Sequence, residues 1–290
     1  MVWLSKTGIL RSFARARIAA VHARPKEAYL TAVVIFGSLI FIALVELSRP
    51  RRQLEFPALR RRLGNLGIWL LNLLLAAFIF APTDAFRPEL ETALHMSLPL
   101  WPITNQWVSF LAAFLLLDFL NYGVHRCQHA VPFLWRFHAL HHSDPDVDVT
   151  TSVRHHPIEY LIATGFYWVA VLLFDIPVMV VMSHSLAVFG AAAVTHGNIR
   201  LPEWLERLLQ PMVITLDLHL VHHSISYDGA NSNFGAVLSI WDRLFSTYRT
   251  MNRAQLERIV FGVLELPRPN CLKPSAMLLS PWRLPRASSG

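Results

Sequence analysis

Apolar and polar positions in this chain alternate on the scale of whole helices. Residues 29–48 form an almost unbroken apolar run with Glu46 near its end. Residues 66–82 form a second run, closed by Pro82, and residues 107–124 a third. Each approaches the ~20 apolar residues that an α-helix needs to cross the hydrocarbon layer, so three spanning helices are predicted. Residues 160–195 are apolar again, but Asp175 and Pro177 interrupt them midway. Proline removes a backbone donor and clashes with the preceding turn. The segment therefore reads as two short helices, a hairpin that enters and returns on one side.

The intervening stretches are polar. Residues 1–28 carry Lys6, Arg11, Arg15, Arg17, Arg24 and Lys26 against Glu27, a pattern expected of an amphipathic surface helix rather than a cleaved leader. Residues 49–62 form a basic loop, and residues 83–104 a Pro-rich loop on the far side. Residues 198–290 are mixed and largely soluble in character, with a Pro- and Ser-rich tail. The expected organisation is a basic segment (1–28), one membrane-embedded domain (29–266) and a loosely ordered tail (267–290). The fold class is all-α: an integral membrane helical bundle of about three spans plus a helical hairpin, with a histidine-rich cap.

Composition agrees with this. Of 290 residues 54% are hydrophobic and 16% charged, and mean hydropathy is +0.40, against ~45–50% apolar in soluble domains. The net charge of +7 comes from arginines that flank apolar runs. Topology and anionic headgroups explain them, and no nucleic-acid partner is expected. Cys127 and Cys271 form no CxxC pair and support no disulfide framework. With the 49–62 loop in the cytoplasm, the second span leaves and the third returns. The segment 125–156, the end of the hairpin and residues 219–223 then all face the cytoplasm, as in a bacterial inner membrane. The N-terminus is equally basic yet falls on the other side, so either the first span is re-entrant or the charge rule is split.

Histidine changes the picture most. Seven of the 14 histidines lie within residues 118–159. His125 and His129 are spaced i, i+4; His138, His141 and His142 form HxxHH; His219, His222 and His223 form a second HxxHH. On helices each set shares a face, and neutral imidazole is a ligand for iron, zinc, copper or nickel. Eight such nitrogens exceed one tetrahedral shell and point to a dinuclear site, while the HExxH of zinc proteases is absent. His196 emerges where the hairpin ends and is expected to join the cluster. His184 reads as packing or helix–helix hydrogen bonding, Cys127 as packing, and Trp135 and Arg136 as interface anchors. Asp118 and Asn121 share a face with His125; Asp118 is expected to orient a ligand histidine, because buried carboxylates in spans are usually functional. Two rival readings are a dinuclear zinc hydrolase of the membrane surface and a non-enzymatic metal-binding protein. The latter predicts ligands strung through the spans rather than gathered at one face.

The ordered pieces DFLNYGVHRCQH, LWRFHALHHSD, SVRHHPIE, HGN at 196–198, HLVHHS and NFGAVLSIWDRLFSTY resemble the fatty acid hydroxylase, or sterol desaturase, superfamily of membrane di-iron oxygenases. The resemblance runs from about residue 118 to 248. It implies two iron ions held by His125, His129, His138, His141, His142, His219, His222 and His223. His196 matches a further ligand and so does His156, in Arg-x-His-Pro-x-Glu, with His155 its alternative. It implies that Arg126 orients a carboxylate such as Asp118 or Glu159, and no catalytic side chain beyond the metal centre. Ser246 stands where the family more often has glycine. The implied activity is O2-dependent hydroxylation or desaturation of a lipid C–H bond in a fatty acyl chain, sterol, carotenoid or ether lipid. Zinc is expected as a purification substitute for iron. With no flavin, haem or nicotinamide motif in the chain, electrons would come from a ferredoxin or a cytochrome b-type protein with its reductase.

Overall fold

A computed structural model describes residues 25–85, 105–266 and 272–284. The expectations for the basic N-terminal segment and for most of the 83–104 loop lie outside these residues. The described chain is helical, with two isolated bridges, Val213 to Leu238 and Ser224 to Phe261. Its helices are α1 (Pro25–Ser48), α2 (Ala58–Ala85), α3 (Gln106–Ala130), α4 (Pro132–His142), α5 (Pro157–Leu173), α6 (Val178–Thr195), α7 (Glu203–Leu209), α8 (Leu216–His222), α9 (Tyr227–Ala230), α10 (Ile240–Leu244), α11 (Arg253–Glu257), α12 (Pro274–Leu278) and α13 (Ser280–Arg283), with a 3-10 turn at Val149–Val153.

Among the described residues three stretches are long and apolar enough to cross a membrane: Ala58–Ile79 of α2, α3, and α6, which was expected as a short half of the hairpin; the first expected span, 29–48, contributes only the shorter apolar stretch Ala32–Ser48. The expected hairpin forms from α5 and α6. Its turn places Asp175 at φ 45 and sinks Ile176 into a core with Leu117, Val171 and Val180. The third span outruns its apolar stretch and continues to Ala130, so the first histidine pair stands on the extension of a spanning helix. Val131 then adopts an extended backbone, and Pro132, with no N–H to satisfy, opens α4. A second core joins α1 and α6 to the cap through Leu39, Ile42, Val149, Ala193, Leu216 and Leu220.

Two expectations change. In place of a loose tail at 267–290, residues 272–284 fold into α12 and α13 against the body. Met277 is fully buried with Ile68 and Leu140, and Arg136 donates to the Pro281 carbonyl at 2.9 Å. Leu272, Ala276 and Leu284 bury apolar surface there, which outweighs the prolines around them. The arginines of the 49–62 loop, expected to set topology, form structural ion pairs. Arg61, with no exposure, pairs with Asp144 at 3.0 Å and with Asp148. Arg62 reaches Asp148 at 2.7 Å and Glu46 at 3.4 Å. Arg154, also fully buried, donates to the Leu140 carbonyl, Asn65 and Ser143. This seam ties α1 and α2 to the loop that leaves α4.

Candidate metal centre

Three helix ends and one helix terminus meet at the cap side of the bundle. α3 brings His125 and His129, α4 brings His138, His141 and His142, and α8 brings His219 and His222. His223 and His196 sit just past the ends of α8 and α6. Their nitrogens fall into two groups, each gathered within 4.8 Å. His125, His129, His138, His142 and His222 form one; His141, His196, His219 and His223 form the other. The groups adjoin: the His142 ring lies 4.6 Å from both His222 and His223, and His141 lies 4.6 Å from His223.

Each HxxHH box divides between the two groups. In α4 the i, i+4 pair His138 and His142 enters the first group and His141 the second. In α8 the i, i+4 pair His219 and His223 enters the second and His222 the first. Residues four apart on a helix differ by ~40° in direction, whereas a residue three along is turned ~60° the other way. Each box therefore presents a chelating pair to one centre and a single ligand to its neighbour.

The arrangement fits cations. In the second group the Nε2 of His196 lies 3.1, 3.0 and 3.1 Å from the Nε2 atoms of His141, His219 and His223. The Nδ1 of His196 is 2.8 Å from the Ala192 carbonyl, an acceptor, so it carries the proton and leaves a lone pair on Nε2. A neutral imidazole has one N–H, so the close contacts cannot all be hydrogen bonds. Two nitrogens ~2.1 Å from one ion at right angles stand ~3.0 Å apart, which matches the spacing. In the first group His125 donates Nδ1–H to the Phe234 carbonyl at 2.8 Å, His222 to the Ser232 carbonyl at 2.7 Å, and His138 to Glu159 at 2.7 Å. Their other nitrogens are turned inward, and those of His125, His129 and His222 are buried without a hydrogen-bond partner. Burial, reinforced by neighbouring rings, holds His141, His142, His219 and His223 well below the usual imidazole range. Burial likewise brings His196 down to about 4. The neutral ring is the ligating form.

Nine of the ten histidines expected as ligands thus converge, and the tenth does not. The Nδ1 of His156 accepts from Ile158 N at 3.1 Å, and its Nε2–H donates to the Leu278 carbonyl at 3.1 Å. As N-cap of α5 its side chain folds back over its own helix and the docked tail. Its neighbour His155 stacks on His141 at 4.6 Å and meets Glu159 at 3.0 Å. Glu159 therefore bridges His155 and His138.

Asp118 is also displaced from its expected role. It lies seven residues before His125, ~10 Å along a helix, beyond the reach of a carboxylate. It accepts instead from Trp241 Nε1 at 2.8 Å and Leu238 N at 3.3 Å, and lies 3.7 Å from His184. His184 in turn meets the Tyr167 hydroxyl at 3.3 Å, a contact between the hairpin helices. Arg126, one position from His125 and so turned off the ligand face, is exposed, and its charge favours the Asp242 carboxylate. Sequence reasoning passed over Phe234, whose carbonyl orients His125 and whose ring lies 5.1–5.7 Å from His125, His129 and His222. It also passed over Ser232; a backbone carbonyl leaves no signature in sequence. Glu46 joins the frame by accepting from Val149 N at 2.7 Å and Asn198 N at 2.8 Å, which fixes the turn after His196.

Residues 110–247 match the fatty acid hydroxylase family model. The chain is 31% identical over 166 residues to alkylglycerol monooxygenase of Xenopus tropicalis, covering 56% of this chain and 34% of that protein. It is 30% identical over 177 residues to the ornithine lipid hydroxylase OlsE of Rhizobium tropici, covering 61% and 52%. It is 30% identical over 171 residues to the fatty acid hydroxylase vlmA of a Lecanicillium species, covering 49% and 43%. The match thus spans about a third to a half of these relatives' lengths. No solved structure matches the chain significantly. Across residues 110–247, just under half of the chain, and across these relatives, the similarity is to the fatty acid hydroxylase superfamily.

Proposed function

We propose that the chain is a di-iron oxygenase that hydroxylates a C–H bond of a membrane lipid with O2 and two electrons from an external donor. The observation that carries this reading is the convergence of nine histidines into two adjoining groups at the end of a spanning helix. His125, His129, His138, His142 and His222 would hold one ion, and His141, His196, His219 and His223 the other. When bound, the ions supply the redox chemistry that activates O2 toward an unactivated C–H bond. Overall, RH, O2, two electrons and two protons give ROH and water.

The chain's own residues bind, orient and exclude water. The Phe234 and Ser232 carbonyls and Glu159 fix the rings of His125, His222 and His138, so their lone pairs need no reorganisation. Phe234 and Trp135 line the first group with apolar surface. The relatives named for hydroxylation act on alkylglycerols, ornithine lipids and fatty acids, which favours hydroxylation over desaturation and a lipid of the acyl or ether class. Such a substrate would approach through the bilayer between the spans. The metal groups would face the cytoplasm of a bacterial inner membrane, where a ferredoxin or a cytochrome b-type protein with its reductase supplies electrons. The net charge of +7 favours docking of an acidic carrier.

The test is metal content and oxygen incorporation. Protein purified anaerobically from iron-supplied cells should carry two irons, and His141→Ala and His222→Ala should each lose metal. Lipid extracts from producing cells under labelled O2 should contain a hydroxylated lipid bearing the label, absent from both variants. Activity that survives without O2 would refute the oxygenase in favour of a dinuclear zinc hydrolase.

A further inference from the structure

The segment after the hairpin is soluble in overall character, yet it exposes two neighbouring sets of large apolar side chains. Trp204 and Leu208 on α7 and Met212 just beyond it are 67%, 63% and 69% exposed; Ile240 and Leu244 on α10 are 50% and 66% exposed. The two sets are stitched together. Val213 bridges Leu238, Ser239 N donates to the Met212 carbonyl at 3.1 Å, and Ser239 Oγ and the Arg243 guanidinium donate to the Gln210 carbonyl.

The position of α10 along α3 says what covers this surface. Asp118 holds Trp241 and Leu238 by hydrogen bonds. Phe119 lies 5.1 Å from Trp241 and 5.9 Å from Phe245, and Tyr122 stacks on Phe245 at 5.6 Å. Asp118 and Phe119 precede His125 by six or seven residues, ~10 Å back toward the middle of the span at 1.5 Å per residue. α10 therefore lies beside a part of α3 that the hydrocarbon surrounds, and its outward side continues the lipid-facing surface of that helix.

We propose that α10, together with Trp204, Leu208 and Met212, is a docking surface inserted into the leaflet on the histidine side, and that its occupant is the bilayer itself. The ~10 Å depth matches that of helices lying in the interface, which sink ~5–10 Å past the headgroups. A carboxylate within a span is costly and rarely idle; Asp118 acts as the pin that holds α10 at this depth. Arg243, exposed at its end over the Tyr248 ring at 3.8 Å, snorkels toward headgroup phosphates. Through Phe245, Tyr122 and Phe234 the inserted element reaches the first histidine group as a continuous aromatic wall. The inference rests on α3 being a spanning helix and is independent of the reaction.

Spin-label accessibility in vesicles of phosphatidylcholine and phosphatidylglycerol tests it. In the full chain with Cys127→Ser and Cys271→Ser, single labels are placed by Met212→Cys, Ile240→Cys and Leu244→Cys. Leu111→Cys, exposed on α3, is the lipid reference and Glu257→Cys, on the cap, the water reference. Labels at 212, 240 and 244 should collide with O2 in preference to a nickel chelate, as at 111, with the opposite preference at 257. Trp241→Phe should shift the label at 244 toward the water reference. Labels at 240 and 244 that behave like 257, while 111 stays lipidic, overturn the docking surface alone; an aqueous 111 overturns the spanning reading with it. Spin–spin broadening between copies, with both reagents excluded, would show that a second copy covers the surface and overturn the bilayer as its occupant.

Discussion

Replacing Arg61 with methionine removes the charge at the centre of the seam between the spans and the histidine cap. The guanidinium is fully buried and lies between Asp144 and Asp148, both also fully buried. Breaking a buried pair by deleting one partner typically costs ~3–5 kcal/mol. Here the abandoned carboxylates keep other donors: Asn65 and Thr151 at 3.1 and 2.8 Å on Asp144, and Arg62 and Thr150 on Asp148. The lower end of the range applies, so Arg61→Met should destabilise by about 3 kcal/mol, roughly two decades in the folding equilibrium. Methionine keeps the volume, which separates charge from packing. Equilibrium unfolding in mixed micelles measures it, with exposed Arg60→Met as the reference. Asp144→Asn in the Arg61→Met background should recover part of the loss, because Asp144 loses its Arg61 partner whereas Asp148 keeps Arg62. The sign with pH is fixed. Burial pushes the Asp148 carboxyl up, but Arg61 and the hydrogen bonds from Arg61 and Thr150 more than offset it and leave it lowered. Its contribution is therefore present above the unfolded carboxylate pKa, ~3.9, and is lost as pH falls through the lower folded value. The penalty of Arg61→Met should hold from pH 7 to 5 and shrink in acid. Equal stability of the Arg61 and Arg60 variants at neutral pH would refute the reasoning.

Three further outcomes follow from the site. Glu159→Gln takes the carboxylate from the Nδ1 atoms of His138 and His155, and should weaken metal binding 10–100-fold; competition with a chelator reads it, and unchanged affinity would sink the orienting role. His156→Ala should leave metal content intact and cost about 1 kcal/mol as a lost helix cap, whereas His155→Ala, which unstacks from His141, should perturb the metal spectrum without emptying the site; the reverse pattern would restore His156 as a ligand. In α4, His142→Ala removes one of five nitrogens from the first group and His141→Ala one of four from the second. Mössbauer spectra of the two iron-loaded variants should therefore differ in which component is lost, and identical spectra would contradict the divided boxes.

Sequence by itself carried much of this protein. Apolar runs of spanning length depend only on local composition, so the helical membrane class was legible, as was the hairpin from Asp175 and Pro177. The histidine boxes were legible because helical spacing is a local property. The remainder rested on distant contacts. The division of each HxxHH box between two groups follows from where α4 and α8 sit relative to α3 and α6. His156 was misplaced because N-cap geometry and the docked α12 decide where its ring points. Asp118 shares a face with His125 yet serves Trp241 and Leu238, more than a hundred residues away in sequence. The buried Arg61 and the ordered tail were invisible for the same reason. A charge or a proline reads as surface or loop until tertiary packing supplies the carboxylates or apolar partners that make its burial favourable.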